Sequence, residues 1–158
     1  MKNVIRLLIV FGWLSATSFT PLVAQAALVP LPDVYISEVG WAGSSLSNAD
    51  EWLELVNLSD TPIDISGWTL TGAASGGGVL TLPEDAIIDA NSTYLIANYD
   101  ETQENTVLDV PPDFVTTALS LSNSALGINL TTDSGTVVDA AGAGSAPPAG
   151  STDTGESG

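Results

Sequence analysis

Hydrophobic and polar residues alternate along this chain in short runs, and nowhere do apolar residues recur at helical spacing over a useful length. The clearest run is Asp50 to Asn57, where Leu53 and Leu55 fall on one face of a strand and Trp52, Glu54 and Val56 on the other. Ahead of it, Val34 to Trp41 predicts a first strand, with Tyr35, Val39 and Trp41 on one face and Val34 and Ile36 on the other. Ser59-Asp60-Thr61-Pro62 predicts a turn, followed by a short strand on which Ile63 and Ile65 point the same way. Trp68 and Leu70 share a face of the next strand, Gly76-Gly77-Gly78 predicts a turn, and Val79 to Leu82 a brief strand ended by Pro83.

The apolar stretch from Ala86 to Asn98 breaks at Asp89-Ala90-Asn91, a predicted turn, and resumes as Thr93 to Ala97. Tyr99 to Pro112 is acidic and predicts a long surface loop, with Val107 to Val110 as an edge strand. Leu119 to Leu121 and Leu126 to Leu130 alternate again, and Asp133-Ser134-Gly135 predicts a hairpin turn into Thr136 to Asp139. Short alternating strands separated by turn signals every 8 to about 12 residues predict an all-β sandwich. From Gly142 onward Gly, Ala, Ser, Pro and Thr dominate, which predicts a flexible linker or tail over 143–158.

The opening residues read differently. Lys2 and Arg6, the apolar run Leu7 to Leu14 and the Ala24-Gln25-Ala26 cleavage pattern predict a signal peptide over 1–26. The apolar run falls short of the roughly 20 residues of a membrane span, so export is expected and the mature chain starts at Ala27. Its expected place is therefore secreted or at the cell surface, with a membrane involved only through export or an anchor beyond the given chain. Lys2 and Arg6 are the only basic residues, so removing them takes the formal charge from −17 to −19 and leaves no Lys, Arg or His. Such a surface repels nucleic acid and anionic headgroups, whose binding depends on Lys and Arg. There is no cysteine, so the core alone must hold the domain.

That inventory also bears on chemistry. Without His, Cys or Lys the mature chain lacks the usual base for a serine nucleophile, a thiolate, and a Schiff-base amine. Zinc and copper sites normally take imidazole or thiolate. Carboxylates remain. Glu51 and Glu54 are three apart on a strand and face opposite ways, whereas Glu54 and Glu38 could meet across neighbouring strands as a glycosidase pair. Asp100, Glu101, Glu104, Asp109 and Asp113 supply oxygen ligands suited to calcium, but the EF-hand register is absent and the plain alternative is a solvated acidic loop. Trp41, Trp52 and Trp68 suit either a sugar-stacking platform or core anchors. Trp68 is expected in the core and Trp52 partly exposed. Asn57-Leu58-Ser59, Asn91-Ser92-Thr93 and Asn129-Leu130-Thr131 match the glycosylation sequon, a pattern short enough to arise by chance. No catalytic, cofactor-binding or metal residue is assigned.

The order of motifs resembles the lamin tail domain, including the versions found in secreted bacterial proteins. The matching pieces are Ile36-Ser37-Glu38-Val39, Asp50 to Asn57, Asp64 to Leu70, Ile88 to Leu95, Leu119 to Ser124 and Gly135 to Asp139. The resemblance implies an immunoglobulin-like sandwich, here placed over 33–142. It departs from nuclear relatives that use basic patches on DNA, since no basic residue is left to do so. The expected function is a non-catalytic extracellular module for adhesion, scaffolding or attachment of a larger secreted protein, with an extracellular protein or glycan as partner. The alternatives are a calcium-stabilised binding module and a carboxylate-pair glycosidase.

Nineteen acids without a cation repel one another in the compact state, and salt shortens the screening length from about 10 Å at 0.1 M to about 3 Å at 1 M. Melting temperature should therefore rise with sodium chloride. Melting curves in sodium, magnesium and calcium chloride at matched ionic strength check this. An increment confined to calcium, lost in Asp100→Asn or Asp109→Asn, would mark a specific site.

Overall fold

The computed structural model of the chain describes residues 33–151 and 156–157, so the expected leader lies outside the described residues. In chain order the strands are β1 (Val34–Gly40), β2 (Trp52–Asn57), β3 (Ile63–Asp64), β4 (Thr69–Ala74), β5 (Gly78–Thr81), β6 (Ile87–Ile88), β7 (Thr93–Ala97), β8 (Phe114–Val115), β9 (Leu126–Thr131), β10 (Val137–Ser145), β11 (Gly150–Ser151) and β12 (Glu156–Ser157). One sheet runs β1-β2-β7-β8 and the other β10-β9-β4-β5, with β3-β6 and β11-β12 as two-stranded additions. All pairings are antiparallel except β7 with β8. The result is the expected immunoglobulin-like sandwich.

Strand β2 is central to the first sheet because its inward parity is filled by leucine. Leu53 and Leu55 are wholly buried and sit opposite Ile96 and Tyr94 of β7. Fully burying such a side chain is worth roughly 1.5–3 kcal/mol, so the alternation decides which face turns in. Facing them across the core are Leu70 of β4 and Leu126, Ile128 and Leu130 of β9. Burial pushes the Tyr94 phenol up to about 12, helped by the nearby Asp113 and Asp85 charges.

Strand β1 departs from the predicted alternation. Its pairing with β2 slips between Ile36, opposite Leu55, and Glu38, opposite Glu54. The extra residue, Ser37, reverses the parity of everything after it. Val39 therefore packs on the core with Ile36, Trp41 is buried, and Tyr35 stays outside at 40% exposure. The predicted grouping of Tyr35 with Val39 and Trp41 is overturned.

Two other differences concern edges. Val107 to Val110 forms no strand; Val107 and Val110 are exposed, and the Val107 N–H is taken by the Asp50 carboxylate at 2.8 Å. The edge is instead β8, because Asp113 bonds Leu95 twice. Its carboxylate accepts the Leu95 N–H at 2.8 Å and its own N–H donates to the Leu95 carbonyl at 2.9 Å, which registers Phe114 beside Ile96. Strand β10 continues beyond Gly142 to Ser145, and the Trp41 indole N–H donates to the Ala149 carbonyl at 3.1 Å, so part of the expected linker lies against the sandwich. Gly72 of β4 and Gly142 of β10 let the strands flanking β9 approach it closely. Both have positive φ, and a Cβ on either would run into the backbone carbonyl of Gly127 or Leu126.

Asn57 closes β2. It is wholly buried, and its Nδ2 donates to the carbonyls of Thr61 (2.8 Å), Asp89 (3.0 Å) and Ile88 (3.2 Å). Its Oδ1 accepts the Ser59 N–H and hydroxyl at 2.9 and 2.8 Å. One side chain thus ties the turn after β2 to the turn after β6. Each buried group left unpaired costs about 1–3 kcal/mol, so Asn57→Ala should destabilise the domain by at least about 3 kcal/mol. Asn57→Asp should be no milder at pH 7, since it sets a charge against three carbonyls. Urea denaturation of the variants measures both.

Candidate functional site

The outer face of the first sheet carries the carboxylate pair anticipated from sequence. Glu38 and Glu54 are direct cross-strand partners, so the pair is brought together. Glu38 is exposed and Glu54 half-buried, and the Ser37 hydroxyl lies 2.7 Å from a Glu54 carboxylate oxygen and 3.1 Å from its carbonyl. The β1 bulge is thus held by the residue its slip aligns with Glu38. Beside the pair, the Trp52 ring covers Gly40, where no Cβ would fit. Trp52 is half-buried, whereas Trp41 and Trp68 are buried at 6% and 5% exposure, so the three tryptophans form no shared platform.

The five acids proposed for calcium are dispersed. Asp100 is drawn into a turn in which it accepts the Thr102 hydroxyl at 2.6 Å and the Thr102 N–H at 3.1 Å, and these bonds hold its carboxyl below the usual range. Asp113 is spent on Leu95, and Glu104 and Asp109 are exposed. Among the described residues no group of three or more acids is placed to hold a metal ion. Of the sequons, Asn57 has its amide committed to three carbonyls inside the protein, while Asn91 and Asn129 are exposed.

A third location was not singled out by sequence reasoning. Glu51 has the same parity as Leu53 and Leu55, so the β2 pattern turns its carboxyl inward; that parity was the available signal. It is 7% exposed, and Oε2 accepts the Leu121 N–H at 2.9 Å. Burial pushes its pKa up to about 7, only partly offset by the Leu121 bond. Glu51 lines a cleft of about 300 Å³ together with Asn48, Ala49, Ser75, Asn98, Tyr99, Thr117, Leu119 and Ser120. Asn98, 6% exposed, clamps one wall: its N–H donates to the Glu51 carbonyl at 3.1 Å and its Nδ2 to the Ala49 carbonyl at 2.9 Å. Across the rim the Tyr99 and Ser47 hydroxyls lie 3.2 Å apart.

Two antiparallel-rich sheets packed face to face, a chain that crosses repeatedly between them and a leucine-filled central strand define an immunoglobulin-like domain. A family model, the Lamin Tail Domain, matches residues 30–145, and the chain belongs to that family. A comparison with curated protein sequences finds no match.

The Glu51 carboxyl binds its proton more tightly in the folded than in the unfolded state. Folding is therefore favoured as pH falls from above 7 towards the ordinary glutamate value near 4.5, by an amount on the order of 3 kcal/mol at most. Glu51→Gln keeps an oxygen for the Leu121 N–H and removes the titration. The variant should be more stable than the parent at pH 8 and lose that advantage at pH 5, as read by urea denaturation at the two pH values.

Proposed function

We propose that the chain is a non-catalytic extracellular module, serving adhesion, scaffolding or attachment of a larger secreted or cell-surface protein, like the secreted bacterial members the sequence resembles. The observation that carries this reading is the setting of Glu38 and Glu54. A glycosidase needs one carboxylic acid kept protonated and a second group placed across a bound sugar, in a site that excludes water. Here the two carboxyls are neighbours on the open face of a sheet, and Glu38 is exposed. The other well-held acids, Asp50, Asp113 and Asp139, are each engaged by a backbone N–H as structural acceptors. Family membership supports the same reading, and the leader-like pattern over 1–26 supports export.

The test follows the export of the chain. Expressed with residues 1–26 in a bacterial host, it should be recovered outside the cytoplasm with Ala27 as its N-terminus, and the purified product should release no reducing sugar from polysaccharides. Retention in the cytoplasm with Met1 intact would refute export. Glycan turnover abolished by Glu38→Gln or Glu54→Gln would refute the non-catalytic reading.

A further inference from the structure

We propose that the cleft beneath Asn48–Ala49, Ser75, Asn98–Tyr99 and Thr117–Ser120 is a seat for a primary alkylammonium group supplied by another molecule, either a lysine side chain of a partner or a free aliphatic amine. This deepens the reading of the chain as a binding module and rests on it.

The argument begins with what the cleft lacks. The Asn98 side chain is more than nine-tenths buried and lines the cleft; its Nδ2 is committed to Ala49, and among the described residues its Oδ1 has no hydrogen-bond partner. An acceptor buried without a donor is destabilising, and native proteins rarely leave one so. Glu51, also more than nine-tenths buried, has one oxygen held by the Leu121 N–H, and among the described residues no hydrogen bond holds the other. Ser75, Thr117, Ser120 and Tyr99 add hydroxyl oxygens that accept as readily as they donate. The cleft therefore presents one carboxyl and several neutral acceptors to a group that brings donors.

An ammonium group brings three donors, no acceptor and a single positive charge, which one carboxylate balances. A guanidinium suits the cleft less well, since its planar fork seeks both oxygens of a carboxylate and one Glu51 oxygen is already taken. Calcium takes about 6–8 oxygen ligands, commonly with several carboxylates, and the cleft lining holds one. A volume of about 300 Å³ lies at the lower end of the range for small-molecule sites, in keeping with the end of an alkyl chain rather than a whole ligand. No Lys or Arg side chain occurs from residue 7 to residue 158, and the field of nineteen acids draws a cation in.

Burial that pushes the Glu51 pKa up to about 7 adds a signature. Entry of the ammonium favours the ionised carboxylate, so binding releases a proton and tightens as pH rises from 6 to 8. Tyr99 is the other titratable group lining the cleft, and the neighbouring Asp50 carboxylate is turned to the Val107 N–H.

The experiment titrates the purified ¹⁵N-labelled chain with n-butylamine, N-acetyl-lysine amide, n-butanol, tetramethylammonium chloride and calcium chloride at matched ionic strength, following the Leu121 amide and the Asn98 side-chain amide by NMR. Both amines should shift these signals, more strongly at pH 8 than at pH 6, while butanol and tetramethylammonium leave them in place. Glu51→Gln, which retains the acceptor for Leu121, should weaken amine binding about tenfold, the effect of one charged hydrogen bond. Ser75→Trp, on the exposed rim, should block it without touching the Glu51–Leu121 bond. Response to butylamine but not to the lysine derivative assigns the seat to free amines; response to both admits a protein lysine. The proposal is overturned if neither amine shifts the signals, if tetramethylammonium does so equally, or if calcium alone does. Any of these leaves the non-catalytic reading intact, because turnover is what refutes that.

Discussion

A carboxylate with no cation to pair with has to find its hydrogen bonds on the backbone, and in this domain that requirement joins distant parts of the chain. Asp139 of β10 accepts the Ile36 N–H of β1 at 2.8 Å, pinning the edge of one sheet to the edge of the other where the β1 ladder bulges. Asp50 holds Val107, Glu51 holds Leu121, and Asp113 holds Leu95. Where the carboxylate is ionised, such a hydrogen bond is worth about 1.5–3 kcal/mol, more than a typical surface ion pair. With no Lys, Arg or His among its described residues, the domain thus obtains from peptide N–H groups the long-range polar connections that others draw from basic side chains.

These connections have opposite electrostatic consequences depending on how deeply the acid is sunk. At the surface, Asp64 and Asp100 are held below the usual carboxylate range by hydrogen bonds from Ser66 and Thr102. In the interior, Glu51 has a single N–H and little water, and desolvation wins. Among the described residues, the one preceding the central strand is therefore where the fold raises a carboxyl towards neutrality. An apolar residue there would suit the leucine-lined core better, which is why Glu51 reads as a position kept for something other than stability.

The architecture was legible because it rests on parity and turns. Leu53, Leu55, Ile128 and Leu130 alternate with polar or half-exposed neighbours, and no competing period exists. Trp68 fell in the core and Trp52 at its margin as the pattern required. What parity cannot reveal is an inserted residue, so the bulge at Ser37 inverted the reading of Val39. Nor can propensity weigh a distant acid: Val107 to Val110 looks like a strand until Asp50, 57 residues away, takes the Val107 N–H. The Glu38–Glu54 pairing was readable from neighbouring strands. The Glu51 cleft was half readable, since the parity of Glu51 was visible while the arrival of Asn98, Ser75 and Ser120 depends on how the loops close.

The second sheet carries a line of glycine across β10, β9 and β4, with Gly142 opposite Gly127 and Gly72 alongside it. Backbone meets backbone there. For the gene, that line is a set of fragile codons: any first- or second-position change in a glycine codon introduces at least a Cβ or stops the chain. At Gly72 and Gly142 that atom has nowhere to go. Substitutions that reach the population should thus be thinned along this seam and freer on the exposed flank of β5, although both lie in the same sheet.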